Sequence, residues 1–313
     1  MKIVFLDAKT IGEDIDLSGF DALGEVVKYG FSTAEEARER SKDADVLILN
    51  KVQVNQKTIG EADHLKLVCV TATGTNNLDK EYLDKRGIAW RNVAGYSTES
   101  VAQHTFAMLF YLLEKLPYYD NYVKSEKYVN DVSFTHFAKA FHELSGMTYG
   151  IIGLGNIGRR VADIAKAFGC RVIYYSTSGR NSQPGYERVS FDELLEQSDI
   201  VSIHAPLDEN TLGLMNKEAF AKMKKSAILL NVGRGPIINE ADLAEALNNK
   251  TIAAAGLDVL SVEPMQEDNP LRGIKDSERL LITPHIAWAG VEARNRLMGI
   301  ILGQIKEFFK AHE

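Results

Sequence analysis

Short apolar runs recur along the whole chain, and most are followed by a mixed stretch whose apolar residues return at helical spacing. In the N-terminal third, residues 2–6, 25–29, 45–49, 66–71 and 88–91 read as strands. Residues 33–41 and 79–86 read as helices between them, the first opened by a Thr33-x-x-Glu36 capping box. Residues 97–116 form a long, strongly apolar helix that stops before Pro117, and the aromatic, polar stretch 118–143 looks irregular. From Thr148 the alternation restarts, with strands at 148–152, 171–175, 200–203, 227–231, 252–257 and 280–282. Helices at 159–168, 191–197 and 240–248 fall between them, the second capped by Ser190 with Glu193, and an amphipathic helix at 291–309 follows the last strand. Apolar strands alternating with helices predict parallel sheets covered on both faces.

Composition narrows the class. A chain of 313 residues suggests two domains, and 45% hydrophobic with 25% charged residues is ordinary for a globular enzyme. A net charge of −7 without any basic run disfavours a nucleic-acid partner. Cys69 and Cys170 sit in apolar strand-like stretches and form no CxxC pair, which suggests buried thiols in a reducing compartment. The apolar run at residues 1–7 is too short for a signal peptide, and none is long enough to span a membrane. The expectation is a cytoplasmic protein with no membrane partner. No cluster of His and Cys suggests a metal site.

Mid-chain, Gly153-Leu154-Gly155-Asn156-Ile157-Gly158 stands between an apolar strand and a helix, the context that a dinucleotide fingerprint requires. Gly153 permits a tight turn, Gly155 lets backbone approach a pyrophosphate, and Gly158 lets the helix pack closely on the strand. At the end of the next strand a carboxylate would bind the adenosine ribose and repel a 2′-phosphate. Here that place holds Ser176, with Thr177, Ser178 and Arg180 after it. Hydroxyls and a guanidinium suit a phosphate, so NADP(H) is favoured over NAD(H). Three later strand ends carry chemistry. Arg234 stands between Gly233 and Gly235, where a planar fork of donors could grip a carboxylate and an adjacent carbonyl. Asp258 and Glu263 follow the strand ending near Leu257, and His285 follows the strand ending at Ile282. A histidine there with an acidic partner is a candidate general acid or base.

In order and spacing this set resembles the D-isomer-specific 2-hydroxyacid dehydrogenase family over nearly the whole chain. The shared features include Val101-Ala102-Gln103-His104-Thr105, the fingerprint, His204-Ala205-Pro206-Leu207, the 231–235 loop, the 256–259 segment with Glu263-Pro264, and Thr283-Pro284-His285. The wording Ala72-Thr73-Gly74-Thr75-Asn76-Asn77 and the presence of Gln103 look like the hydroxypyruvate/glyoxylate reductase branch. The resemblance implies an α/β protein of two doubly wound parallel-sheet domains. A Rossmann cofactor domain (100–286) would be inserted in a flavodoxin-like substrate domain (1–99 and 287–313), with the active-site cleft between them.

The resemblance also assigns roles. Arg234, Glu263 and His285 fall on the family's catalytic positions. NAD(P)H contacts fall on Gly153, Gly155, Asn156, Ile157, Gly158, Ser176, Thr177, Ser178, Arg180, His204, Ala205, Pro206, Thr211, Val232, Gly233, Arg234, Asp258 and His285. Substrate contacts fall on Ala72, Thr73, Gly74, Arg234, His285 and Trp288, with backbone N–H groups of the 71–77 loop holding the carboxylate. The implied reaction passes a hydride between the nicotinamide and a small 2-oxo acid, with His285 as proton donor. Glu263 would orient the imidazole and favour its charged form, and Arg234 would polarise the carbonyl. The substrate implied is hydroxypyruvate or glyoxylate, and a homodimer joined through the cofactor domain is expected. Three alternatives stand beside this: a D-lactate-type enzyme for a larger 2-oxo acid, a formate- or phosphite-type dehydrogenase, and a non-catalytic nucleotide-binding regulator.

Overall fold

The computed structural model describes residues 1–180 and 182–311. The chain divides into two compact units, Met1–Ser97 with Ala289–Glu313, and Thr98–Trp288.

In the first unit, β1 (Lys2–Phe5), β2 (Glu25–Lys28), β3 (Val46–Leu49), β4 (Leu67–Val70) and β5 (Ala89–Arg91) form a parallel sheet in the order β2-β1-β3-β4-β5. The helices α1 (Ala34–Ser41), α2 (Gln56–Ile59) and α3 (Lys80–Arg86) connect them. β3 and β4 are buried at every position, as runs without one charged residue require when both faces are covered. α1 starts at the expected capping box, with Thr33 and Glu36 exchanging side-chain and backbone bonds. Short α2 escapes the periodicity analysis because it is little more than one turn, held by Asn55 as its cap. Asp7, two residues past β1, accepts the N–H groups of Asn50, Lys51 and Val52, and so fixes the loop after β3. Burial raises the pKa of its carboxyl, while those same N–H groups oppose the shift.

The second unit opens with α4 (Thr98–Leu113) and α5 (Leu116–Lys124). Its sheet and helices follow as β6 (Thr148–Ile152), α6 (Asn156–Ala167), β7 (Arg171–Tyr175), β8 (Glu187–Arg188), α7 (Phe191–Gln197), β9 (Ile200–Ile203) and α8 (Lys217–Lys222). They end with β10 (Ile228–Asn231), α9 (Glu240–Asn248), β11 (Ala254–Leu257) and β12 (Leu280–Ile282). All seven strands run parallel in the order β12-β11-β10-β9-β6-β7-β8. The order reverses between β6 and β9, and ligands of open α/β sheets bind at the strand C-termini beside such a reversal. One core packs α4 and α6 on the sheet through Phe106, Leu109, Tyr149 and Ile151. The other packs α7, α8 and α9 through Leu194, Phe220 and Leu243.

The long helix expected at 97–116 is α4, which ends at Leu113, and the stretch expected to be irregular opens with a second helix, α5. Lys115 takes a left-handed backbone conformation (φ 55°) and Pro117 lies in the first turn of α5. A proline there loses no intrahelical bond, so it opens a helix rather than ending one. After unit two, α10 (Val291–Lys310) returns to the first unit and buries Ala293, Leu297, Met298, Ile301 and Ile305. Arg294 fastens it by donating to Ile11 O at 2.9 Å and pairing with Asp14. Among the described residues, no helix is long and apolar enough to cross a membrane.

Both cysteines are buried, Cys69 on β4 and Cys170 just before β7. Burial pushes their thiols up to about 12 and about 11, so both stay protonated at neutral pH. Neither thiol should react with a disulfide reagent such as DTNB at pH 8 in the native protein. Both should react in guanidinium chloride, and rapid native labelling of either would contradict their burial.

Candidate active site

The residues singled out from the sequence in the second unit lie in loops at the C-terminal edge of one sheet. After β6, Gly153 turns with φ 91°, and a Cβ there would fall 2.8 Å from Ala205 backbone atoms. At Gly158 a Cβ would fall 2.3 Å from Gly153 O, so the start of α6 can press on the turn only with glycine there. Gly155, the N-cap of α6, is different: a Cβ would meet nothing within 4 Å. The space over Gly155 is open, and the first N–H groups of α6, those of Asn156 and Ile157 among them, are the ones a helix leaves without internal partners.

After β7, Ser176 is buried and its Oγ finds no partner among the described residues. Thr177 is partly covered, while Ser178 and Arg180 are exposed. The turn closes through Gly179 N–H to Ser176 O at 3.1 Å. A second guanidinium overhangs it: Arg188 Nη2 lies 4.0 Å from where a Cβ on Gly179 would stand. Among the described residues neither arginine has an acidic partner. Arg188 escapes motif reading because it comes from β8 and reaches the turn by strand pairing opposite Tyr174.

After β9, Ser202 Oγ and His204 Nε2 are 2.9 Å apart, and the buried Nδ1 of His204 has no partner among the described residues. Burial holds the pKa of His204 far below the ordinary histidine value, so the ring is neutral. The following loop contains Ala205, which abuts Gly153, and exposed Pro206. Thr211 spends its hydroxyl on this loop, donating to Pro206 O at 2.7 Å.

After β10 the side chain of Asn231 shapes the next turn. Its Oδ1 accepts the Gly233 N–H at 3.0 Å and its Nδ2 donates to Arg234 O at 2.9 Å, holding Val232, Gly233 and Arg234 in place. Gly235 faces the loop after β11, where a Cβ would fall 1.9 Å from the carbonyl carbon of Leu260. Arg234 is partly exposed, and its Nη1 donates to Gly233 O at 2.8 Å.

The loops after β11 and β12 meet at a histidine–carboxylate hydrogen bond. His285 Nδ1 and Glu263 Oε2 are 2.7 Å apart, with side chains 29% and 30% exposed. Glu263 also accepts the Leu260 N–H at 3.0 Å, while Glu240 on α9 accepts the N–H of Ser261. His285 has φ 56°, a left-handed backbone that costs a non-glycine residue about 1–2 kcal/mol. Asp258 secures it. Its backbone oxygen accepts the His285 N–H at 2.8 Å. Its carboxylate accepts the N–H groups of Ile286 and Ala287, each at 2.8 Å. With 1% of its surface exposed, this carboxylate serves the turn under His285. Asn231 was not foreseen as functional because it acts only within its own turn, and Glu240 because its partner lies in another loop.

In the first unit, the loop after β4 is held by Thr73 Oγ1 donating to Val93 O at 2.9 Å and Asn77 Nδ2 donating to Val52 O at 2.9 Å. Among the described residues, the backbone N–H groups of Ala72, Thr73 and Gly74 have no acceptor. Trp288, partly buried, packs on the α4–α6 core of the second unit.

Comparison with known proteins gives this geometry its context. Residues 106–287 match the family described as D-isomer specific 2-hydroxyacid dehydrogenase, NAD binding domain. A hydroxypyruvate reductase of Blautia hydrogenotrophica is 39% identical over 99% of this chain and 97% of its own. The chain belongs to the D-isomer specific 2-hydroxyacid dehydrogenase family. An acyclic imino acid reductase solved with NADPH and D-Arg matches 99% of this chain and 98% of its own, with a TM-score of 0.87 at 28% identity. A D-lactate dehydrogenase of Aquifex aeolicus, solved with NAD and lactic acid, matches 99% of this chain and 96% of its own, with a TM-score of 0.84 at 27% identity. As a member of this dehydrogenase family, the protein is an NAD(P)-dependent oxidoreductase of 2-hydroxy acids. The residues present suit a dinucleotide: open space over Gly155, a helix N-terminus behind it, and an unpartnered buried hydroxyl at Ser176.

Proposed function

We propose that this dehydrogenase reduces a short 2-oxo acid, hydroxypyruvate or glyoxylate, to the D-2-hydroxy acid. The observation that carries this reading is the Glu263–His285 pair on the strand edge that also presents Arg234. When bound, the nicotinamide supplies the hydride. Arg234 grips the carboxylate and the 2-oxo oxygen with its planar fork and stabilises charge developing on that oxygen. His285 in its protonated form gives the Nε2 proton to the same oxygen, while Glu263 holds the ring by Nδ1. In the first unit, the N–H groups of Ala72, Thr73 and Gly74, which have no acceptor among the described residues, are donors that a carboxylate would take. Trp288 borders the substrate side chain. The hydroxypyruvate reductase relative supports the short substrate.

NADPH serves at least as well as NADH in this reading. Ser176 stands where a carboxylate would repel a 2′-phosphate, and Arg180 and Arg188, without an acidic partner among the described residues, offer guanidinium groups at the same turn. His204, Ala205, Pro206, Val232 and Gly233 line the dinucleotide between its two ends. The protein acts as a homodimer. Val132, Phe134 and Phe137 are 105%, 89% and 91% exposed in the arm between α5 and β6, and a second copy would cover them. Two buried, unpaired thiols fit a reducing compartment such as the cytoplasm.

Four measurements test these statements. With a panel of 2-oxo acids, hydroxypyruvate and glyoxylate should give a higher kcat/KM than pyruvate or bulkier acids. His285→Ala should lower turnover about 10²–10⁴-fold with little change in nucleotide affinity. Preference for a bulky acid would overturn the substrate, and a fully active His285→Ala would remove that residue from the mechanism. For the cofactor, kcat/KM with NADPH should equal or exceed that with NADH, and Ser176→Asp should swing preference toward NADH by like-charge repulsion. A strong NADH preference in the wild type would mean that both arginines stay in solvent. Sedimentation equilibrium should give twice the chain mass, and Phe134→Asp with Phe137→Asp should give monomers. A monomeric wild type at micromolar concentration would rule the dimer out.

A further inference from the structure

A face of α4 touches the turn that carries His285. Ser100 and His104 lie one helical turn apart on the same side of α4. Ser100 Oγ donates to Ala287 O at 2.7 Å, and His104 Nε2 is 3.0 Å from Thr283 Oγ1. These are the two ends of the five-residue turn with His285 at its middle. The direction of the bonds follows from what each group can do. Thr283 Oγ1 is 2.6 Å from Asp258 Oδ1, and a carboxylate can only accept, so the hydroxyl proton goes to Asp258. Thr283 Oγ1 must then accept from His104, which fixes His104 in the tautomer with hydrogen on Nε2. The chain of bonds runs His104 to Thr283 to Asp258, and the same Asp258 Oδ1 receives the Ile286 N–H. His104 Nε2 is also 3.5 Å from that oxygen. α4 is anchored by Val101, Ala102, Thr105, Phe106, Met108 and Leu109, all buried.

We propose that His104 and Thr283 are positioning residues for the catalytic imidazole. Through Asp258 they set the left-handed turn that aims His285 toward the substrate, and neither touches substrate or nucleotide. The proposal rests on His285 being the proton donor. Removing the Thr283 hydroxyl leaves His104 Nε2–H only the more distant Asp258 Oδ1, at 3.5 Å, and takes one donor from Asp258. The turn is then free to relax from φ 56°, carrying the imidazole away from Glu263. A displacement of about 1 Å at a reacting group costs up to about 10²-fold in rate.

The test compares Thr283→Val, Thr283→Ser, His104→Phe, His104→Gln and the double Thr283→Val/His104→Phe with the wild type and His285→Ala. Serine keeps the hydroxyl, and glutamine places an amide donor near the position of Nε2. Thr283→Val should lose about 10–100-fold in kcat with substrate KM and nucleotide Kd within about twofold, and Thr283→Ser should restore most of it. His104→Phe should fall less far, and His104→Gln should recover. The double variant should be no worse than Thr283→Val alone, because one cut already severs the chain of bonds. In the protein without substrate, proton NMR should show a low-field Nδ1–H signal from the His285–Glu263 bond. That signal should be absent in His285→Ala, broadened or lost in Thr283→Val, and present in Thr283→Ser. If Thr283→Val keeps wild-type kcat and the NMR signal while His285→Ala is inactive, the positioning role is wrong and the proton donor stands. If His285→Ala is itself active, the reading beneath the proposal fails. Effects that simply multiply in the double variant would reduce both residues to independent packing sites and overturn the relay.

Discussion

The carboxylate of Asp258 is out of water, and that burial is tolerable because donors surround it: the N–H groups of Ile286 and Ala287 and the hydroxyl of Thr283. Desolvating a carboxylate costs several kcal/mol, so the group is stable inside only while those donors stay put. The dependence runs both ways. The donors belong to a turn that would otherwise relax, since His285 has a backbone conformation a side chain resists. Buried charge and strained backbone hold each other in place. The imidazole then meets the carboxylate of Glu263, whose own loop is secured by Leu260 and by Glu240.

Around that clamp the parallel sheet does the sorting. Each strand delivers its chain to the same edge, so residues spread from Gly153 to His285 in sequence become neighbours in loops of one sheet. Small side chains decide how near those loops come. Gly153 lets the fingerprint turn meet Ala205, and Gly235 lets the Arg234 loop meet Leu260. Gly155 is small for another reason, because open space lies above it.

The fold was legible because its information is local. Buried strands such as β3 and β4 are continuous apolar runs, β9 and β10 are apolar but for Ser202 and Asn231, and α1 and α7 announce themselves by capping boxes at Thr33 and Ser190. The long helix does end before Pro117, but the start of α5 at Leu116 was not legible, because a proline marks a helix start as readily as a stop and the left-handed Lys115 that separates the two helices carries no sequence signal. Arg234, Glu263 and His285 could be named because the family's motifs carry them. Their support could not be read the same way. Asn231 acts through its own turn, Arg188 reaches its turn from the neighbouring strand, and His104 meets Thr283 across 179 residues of sequence.

The interrupted first unit has a consequence for how the protein is made. Its sheet is complete by residue 97, but α10, whose apolar face covers the surface around residues 18–23 of the same unit, follows the whole of unit two. During synthesis the N-terminal strands emerge first and wait, with that surface uncovered, while some 190 residues are added and unit two folds as a continuous piece. The order of synthesis is thus the reverse of the order of completion. The first unit to be started is the last to be sealed, and a chaperone holding the nascent chain has most to protect there.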